Sequence, residues 1–306
     1  MAHISKLPTK IPSETLSTEN PDLRRYVNVG DADMAYVDIG EGDPIVFLHG
    51  NPTSSFLWRN VIPHVQDLGR CIAPDFIAHG WSSTSPVDAY HFKDNITYFD
   101  AFFEALNLTE NVTLVVHDWG AAVGFNRAAR FSEQIKGIAY MEAMVWPRSW
   151  TDLPSDRVET FQWFRTPEGE KAALKQNLFV EKMLFERGIV RELSDVEKQV
   201  YRRPSTREGG TKLPSIIMPN DIPFDGDPPD NHEIVKFYSD WLAASDVPKL
   251  FVNADQGHGL TGAARDHART FKNQTEVTLN GRHYIMEDKP DGVGRALAEF
   301  VRDLSA

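Results

Sequence analysis

TLVVHDWGAAVG, residues Thr113–Gly124, is the stretch that decides how this chain reads. Thr113–Val116 form an apolar-leaning run, as in a strand buried on both faces. The run enters His117-Asp118-Trp119-Gly120 and then the small residues Ala121, Ala122 and Gly124. A sharp strand-to-helix turn needs such small neighbours, because its backbone approaches the adjoining turn closely. The spacing therefore predicts strand, elbow and helix, with Asp118 at the elbow. In an open parallel sheet, the carboxyl end of a strand is where functional groups collect. Asp118 is a candidate nucleophile there, and the plain structural alternative is an N-cap aspartate.

The same alternation extends outward. RRYVNVGDADMAYVDIG reads as a hairpin turning at Gly30-Asp31, and Ile45–Leu48 as a buried strand. TSSFLWRNVIPHVQDLG has helical spacing of Phe56, Val61 and Val65. RCIAPDF is another strand and YHFKDNITYFDAFFEALNL an amphipathic helix. After the elbow helix comes the strand KGIAYMEA. From about Met144 to Phe224 the pattern changes to tryptophan, charge and proline. Apparent helices there are SDRVETFQWFRT, EGEKAALKQNLFVEKMLF and SDVEKQVYRR. The alternation resumes with HEIVKFYSDWLAAS, KLFVNAD, AARDHARTF, TEVTLNGRHYI and DGVGRALAEFVRDL. The expected fold is α/β, a mostly parallel central sheet flanked by helices, with a helical cap insertion. The expected division is an N-terminal arm over 1–20, a core over 21–143 and 225–306, and a cap over 144–224.

Composition narrows the function classes. The chain has 306 residues, 41% of them hydrophobic, enough for a sizeable core. Its net charge of −12 argues against nucleic acid or an anionic membrane as the main partner. Cys71 is the only cysteine, so an intrachain disulfide and a cysteine zinc site are excluded. The opening MAHISKLPTKIPSETLSTENPD lacks the apolar core of a signal peptide, and no apolar run suits a bilayer span. The expectation is a cytoplasmic protein.

An aspartate in the nucleophile position limits the reaction. Serine attacking saturated carbon would leave an ether, which water cannot open. A carboxylate attacking saturated carbon leaves an alkyl ester, which water can open at its carbonyl. The electrophile is then a carbon–halogen bond or an epoxide. In GRHYIMEDKPDG, His283 follows the last strand, the chain position of an α/β-hydrolase base. Glu142 and Asp255 both end strands and both could orient that imidazole. In FLHGNP, the backbone of Asn51, with that of Trp119, is placed to form an oxyanion hole. The Asn51 amide and the Trp119 indole add neutral donors suited to a leaving halide.

Together these residues resemble the haloalkane dehalogenases of the α/β-hydrolase superfamily. The quotable matches are FLHGNPTSSFLWRNVIPHV, VVHDWGAAVGF, GIAYMEA, NLFVEKML, PKLFVNAD and NQTEVTLNGRHYIMEDKPD. The resemblance implies Asp118 as nucleophile, His283 as base, Glu142 as acid, and Asn51 with Trp119 as the halide pair. Asp255 is the reserve acid, because related enzymes use that position. The implied products are alcohol, halide and a proton, from a small halogenated hydrocarbon and water, with no metal or cofactor and a monomer as default.

Three stretches depart from the family pattern. In FIAHGWSS, Ala78 and His79 replace a glycine and an apolar residue, and His79 is expected on a surface loop. NADQGHGLTG has His258 and Gly259 where the family's tunnel passes. SIIMPND has Met218 in the expected cap wall. The other wall candidates are Phe161, Phe164, Phe179, Met144 and Met183, with Phe161 and Phe179 favoured by the resemblance. Three rivals remain: an epoxide hydrolase, a luciferase-like coelenterazine monooxygenase and a non-enzymatic ligand receptor. The first would need a pair of cap tyrosines, and Tyr201 is the only tyrosine in the insertion.

Overall fold

The computed structural model describes residues 24–305, so the arm expected over 1–20 lies outside the described residues. The chain begins with β1 (Arg24–Asn28), β2 (Asp33–Ile39), β3 (Pro44–Leu48) and β4 (Arg70–Pro74). Then come α1 (Phe92–Ala105), β5 (Val112–His117), α2 (Trp119–Arg130) and β6 (Ile135–Met141). A helical stretch follows: α3 (Ser155–Phe164), α4 (Pro167–Gln176), a π-helical segment (Phe179–Gly188), α5 (Asp195–Thr206) and α6 (Pro214–Asn220). The α/β pattern closes with α7 (Pro229–Ala244), β7 (Lys249–Ala254), α8 (Gly262–Ala268), β8 (Gln274–Leu279), α9 (Ile285–Asp288) and α10 (Pro290–Asp303).

The eight strands form one sheet in the order β1-β2-β4-β3-β5-β6-β7-β8. The β1–β2 and β2–β4 pairs are antiparallel and every other pair is parallel. Alternation along each central strand supplies both faces of the core. On β5, Leu114 and Val116 join the cluster under α1, α2 and α7, while Val115 points to the opposite cluster against α10. On β3, Val46 and Leu48 divide from Ile45 and Phe47 in the same way. Strands buried on both sides hold their carboxyl ends in fixed register, and β3, β5 and β6 end side by side.

Local chemistry explains where the elements stop. The α1 helix buries Asn95, Tyr98, Phe99, Phe102 and Phe103, an i, i+3, i+4 stripe, and His91 with Asp94 forms its capping box. The helix expected over residues 53–69 is instead two short 3₁₀ turns, Ser55–Trp58 and Ile62–His64. Pro63 removes a donor and disfavours helical backbone before it. Asp75 Oδ1 also takes the Ser55 N–H at 2.7 Å. The long helix expected over 168–185 breaks at Asn177, whose φ of 52° is left-handed, a conformation asparagine tolerates. The α6 helix is not among the helices expected from the sequence; Pro214 occupies its first turn, where the missing N–H costs nothing, and Pro219 lies near its end.

The helical stretch has a small core of its own, Phe164, Ala173, Phe179 and Ile216. It is tied to the α/β layers through the buried Glu287 of α9. That carboxylate accepts from Arg59 Nη1 at 2.6 Å and Arg59 Nη2 at 2.9 Å, and from Arg191 and Tyr201 of the helical stretch. Among the described residues, no helix is long and apolar enough to cross a membrane.

Candidate active site

Asp118 sits between β5 and α2 with φ 51° and ψ −123°, a conformation L-residues rarely adopt. Close packing holds it there. A Cβ on Gly50 would collide with the Asp118 carboxylate, and one on Gly120 would collide with the carbonyls of Leu48 and His49. The small residues of the elbow therefore answer a contact between two neighbouring strand ends. Asn51, just past β3, donates its backbone N–H to Asp118 Oδ1 at 2.9 Å. The Trp119 backbone N–H also hydrogen-bonds the carboxylate.

His283 lies on the loop after β8. Its Nε2 stands 3.6 Å from Asp118 Oδ2 and its Nδ1 3.0 Å from Glu142 Oε2. Glu142 follows β6 with φ 49°, and its Oε2 accepts the N–H groups of His258 and Gly259, each at 2.6 Å. Gly257 admits this carboxylate because a Cβ there would strike Glu142 Oε1. Asp255, the other candidate acid, is exposed and accepts from Asn280 Nδ2 at 3.0 Å and Gly281 N at 3.1 Å. The structure thus brings Glu142, and not Asp255, against the imidazole.

The three groups titrate together. Burial alone would push His283 down, but the hydrogen bonds it donates to Asp118 and Glu142 and the charges of those two carboxylates outweigh it and hold it up at about 9. Burial alone would raise Asp118 and Glu142, and the His283 contacts keep both below the usual carboxylate range. The resting arrangement is one imidazolium between two carboxylates.

Two supports were not legible in the sequence. His117, buried at the end of β5, contacts the His283 carbonyl through Nε2 at 3.0 Å. Burial first, then the His283 charge, lowers its pKa to about 3, so this ring is neutral and donates. Tyr284 donates its hydroxyl to the Asn51 carbonyl at 3.1 Å. Each lies beside a motif residue, which is the only signal the sequence carries for them.

His79 is a correction. It is buried, not on a surface loop, because Ala78 turns at φ 64° and lays the imidazole beside the rings of His49 and Phe76. Its Nδ1 is 3.1 Å from the Ile77 carbonyl and its Nε2 3.4 Å from Asn51 Oδ1. Burial, then the neighbouring His49, lowers its pKa to about 3. A neutral ring has one N–H for these two acceptors, so its tautomer is coupled to the Asn51 amide.

A cavity of about 780 Å³ opens over the catalytic candidates, with Asn51, Asp118, Trp119, Glu142 and His283 in its lining. Phe161, Phe179, Met144, Met183, His258 and Gly259 also line it. Met218 does not. It is buried in the core cluster beneath α6, and the next residue, Pro219, takes the wall position. Phe164 stands behind the wall, its ring 4.7 Å from that of Phe179. Tyr201 is likewise outside the cavity, engaged with Glu287. Four arginines in the lining, Arg148, Arg157, Arg187 and Arg282, were not singled out from the sequence. Among the described residues, no group of His, Cys, Asp and Glu is arranged to hold a metal ion.

Known proteins resemble this chain over most of its length. A family model described as the alpha/beta hydrolase fold matches residues 43–207. A haloalkane dehalogenase of Sphingobium indicum is 46% identical over 284 residues, 92% of this chain and 96% of that protein. One from Mycolicibacterium smegmatis is 42% identical over 287 residues, covering 92% of each. The crystal structure of the haloalkane dehalogenase DbeA from Bradyrhizobium elkani matches at a TM-score of 0.87 and 36% identity, over 92% of this chain and 98% of that one. That of DatA from Agrobacterium tumefaciens matches at 0.85 and 31%, over 92% and 96%. With the α/β-hydrolase fold, an aspartate at the elbow and this likeness along nearly the whole chain, the protein belongs to the haloalkane dehalogenase family.

Proposed function

We propose that this protein hydrolyses the carbon–halogen bond of small haloalkanes through a covalent ester on Asp118. The observation that carries the reading is the carboxylate itself. Asp118 Oδ1 is held by the Asn51 N–H, so Oδ2 is left to attack at the floor of the cavity. In the first step an Oδ2 lone pair forms the C–O bond as the C–X bond breaks and X⁻ departs. The Asn51 amide and the Trp119 indole receive the halide. His79, with its N–H on Nε2, would hold Asn51 Oδ1, and the amide N–H not directed at the Ser215 carbonyl would be left for the halide.

Alkylation switches on the second step. The ester is neutral, so the charge and hydrogen bond of Asp118 no longer support protonated His283. Burial then pulls the imidazole down, and it becomes a competent base at neutral pH. His283 takes a proton from water, and the oxygen adds to the ester carbonyl. The developing oxyanion is Oδ1, which already accepts the Asn51 backbone N–H, with the Trp119 N–H on the same carboxylate. Collapse releases the alcohol and regenerates the Asp118 carboxylate. Glu142 stabilises the imidazolium formed on the way, which restores the resting state, and the one proton released per cycle is the one His283 gave up to solvent on alkylation.

In this reading, residues 144–224 act as a cap that excludes water from the first step, over a core of 21–143 and 225–306. An epoxide substrate would need a cap hydroxyl to protonate its oxygen, and Tyr201 is occupied by Glu287 outside the cavity. The test is halide release from 1-bromohexane and 1,2-dibromoethane. Stoichiometric bromide and alcohol are expected. No release from a broad haloalkane panel by folded protein, or light from coelenterazine instead, would overturn the reading.

A further inference from the structure

The cavity wall carries charge that a neutral haloalkane does not use. Arg148, Arg157, Arg187 and Arg282 all contribute to its lining. Among the described residues, none of the four forms a salt bridge with a carboxylate, whereas Arg59, Arg127 and Arg202 each do. Their bonded partners are carbonyls. Arg148 donates to Gly259 O, Arg157 Nη1 to His258 O at 2.5 Å, and Arg282 Nη1 reaches the carbonyls of Glu186, Arg187 and Ile189 at 3.4–3.5 Å. Each guanidinium has five N–H donors, so these bonds leave most of them unused.

The balance of charge around them is positive. The acids in the same lining, outside the catalytic group, are Asp156 and Glu186, and Glu186 is paired with Lys182 at 2.6 Å. His258 registers the field: after burial, the charges of Arg157, His283 and Arg282 lower its pKa to about 4. This occurs in a chain with a net charge of −12. A cationic cleft in an acidic protein focuses attraction on anions. The floor carries the opposite sign, since Asp118, Glu142 and protonated His283 sum to one negative charge. A substrate with an anionic end is repelled from the floor and drawn to the arginines, which directs its other end to Asp118.

We propose that the arginines bind the anionic head group of a halogenated alkanoate, placing its halogen-bearing carbon at Asp118. The proposal rests on the dehalogenase reading above and names its substrate class. The bond changes are the same: Asp118 displaces halide, and water opens the ester to give a hydroxyalkanoate. Guanidinium groups suit a carboxylate because two N–H groups can meet its two oxygens in parallel. Arg187 and Arg282 are the discriminating pair, because neither side chain holds the loop that wraps Glu142.

The experiment compares bromide release at pH 8 from 6-bromohexanoate, its methyl ester and 1-bromohexane. The expected result is a KM for the carboxylate at least tenfold below that of the methyl ester, rising with added sodium sulfate. In the Arg187→Gln, Arg282→Gln double variant the carboxylate loses that advantage, while kcat/KM for 1-bromohexane changes less than twofold. If 1-bromohexane is turned over and the carboxylate is no better than its ester, the proposal is overturned and the dehalogenase reading stands. An advantage that survives in the double variant also overturns it. Release from none of the three overturns both readings.

Discussion

The floor of the cavity and its wall are built by different means. Asp118, Asn51 and Glu142 stand just past β5, β3 and β6, neighbouring strands whose side chains fill both layers of the core. Their backbones are pinned by contacts that leave no room for a Cβ at Gly50, Gly120 or Gly257. The wall comes mostly from the helical stretch, which has a four-residue core, a break at Asn177 and a π-helical segment. The lesson is that chemistry rests on positions fixed by a whole sheet, and selectivity on helices whose local geometry is freer to vary. Substitutions that separate floor from wall test this division.

Asp118→Asn removes the attacking oxygen and keeps the size of the side chain. Halide release should fall to background, a loss on the order of 10⁴-fold or more, with the melting curve little changed. Next in size is the tether between the two regions. Glu287→Gln removes the buried carboxylate shared by Arg59, Arg191 and Tyr201, leaving Arg59 only its ion pair with Glu197, and should cost about 3 kcal/mol in denaturant unfolding. Glu181→Gln, at a half-buried surface ion pair with Arg202, should cost less than about 1 kcal/mol. Equal effects would show that the tether is not what couples the helical stretch to the sheet.

Gly50→Ala tests how tightly the floor is set. A methyl group against the Asp118 carboxylate should lower kcat by roughly 10²-fold, the scale of a misplaced reacting group, with less effect on KM. An unchanged kcat would mean the elbow can move aside. The smallest effect belongs to His79→Leu. Losing the contact to Asn51 Oδ1 should weaken bromide binding several-fold, read by product inhibition, and leave fold and ester hydrolysis intact. His79→Gln, whose side-chain amide can also donate, should restore part of the affinity.

How far the sequence reached follows the same division. The elbow, the His283 loop and the Asn51 turn were legible because each pairs a buried apolar strand with a special residue at its end. Strand ends alone left Glu142 and Asp255 open, and only the family resemblance favoured Glu142; in the structure the loop of His258 and Gly259 encloses Glu142. The wall was read only in part: Phe164 stands one layer behind it, and Met218 yields to its neighbour Pro219 on α6, whose phase could not be set through two prolines. His79 was misjudged because a histidine in a glycine-flanked loop looks exposed, and only the turn at Ala78 folds it inward. The arginines gave no sequence signal, as they are scattered from 148 to 282 and meet only around the cavity.

The central claim is a covalent alkyl ester on Asp118 that His283 is needed to open. The direct measurement is intact-protein and peptide mass spectrometry of His283→Phe after incubation with 1-bromohexane. The account predicts one hexyl group per chain, located on the peptide bearing Asp118, with a single burst of bromide and no further turnover. Continued turnover without an adduct, or a hexyl group on any residue other than Asp118, would contradict it.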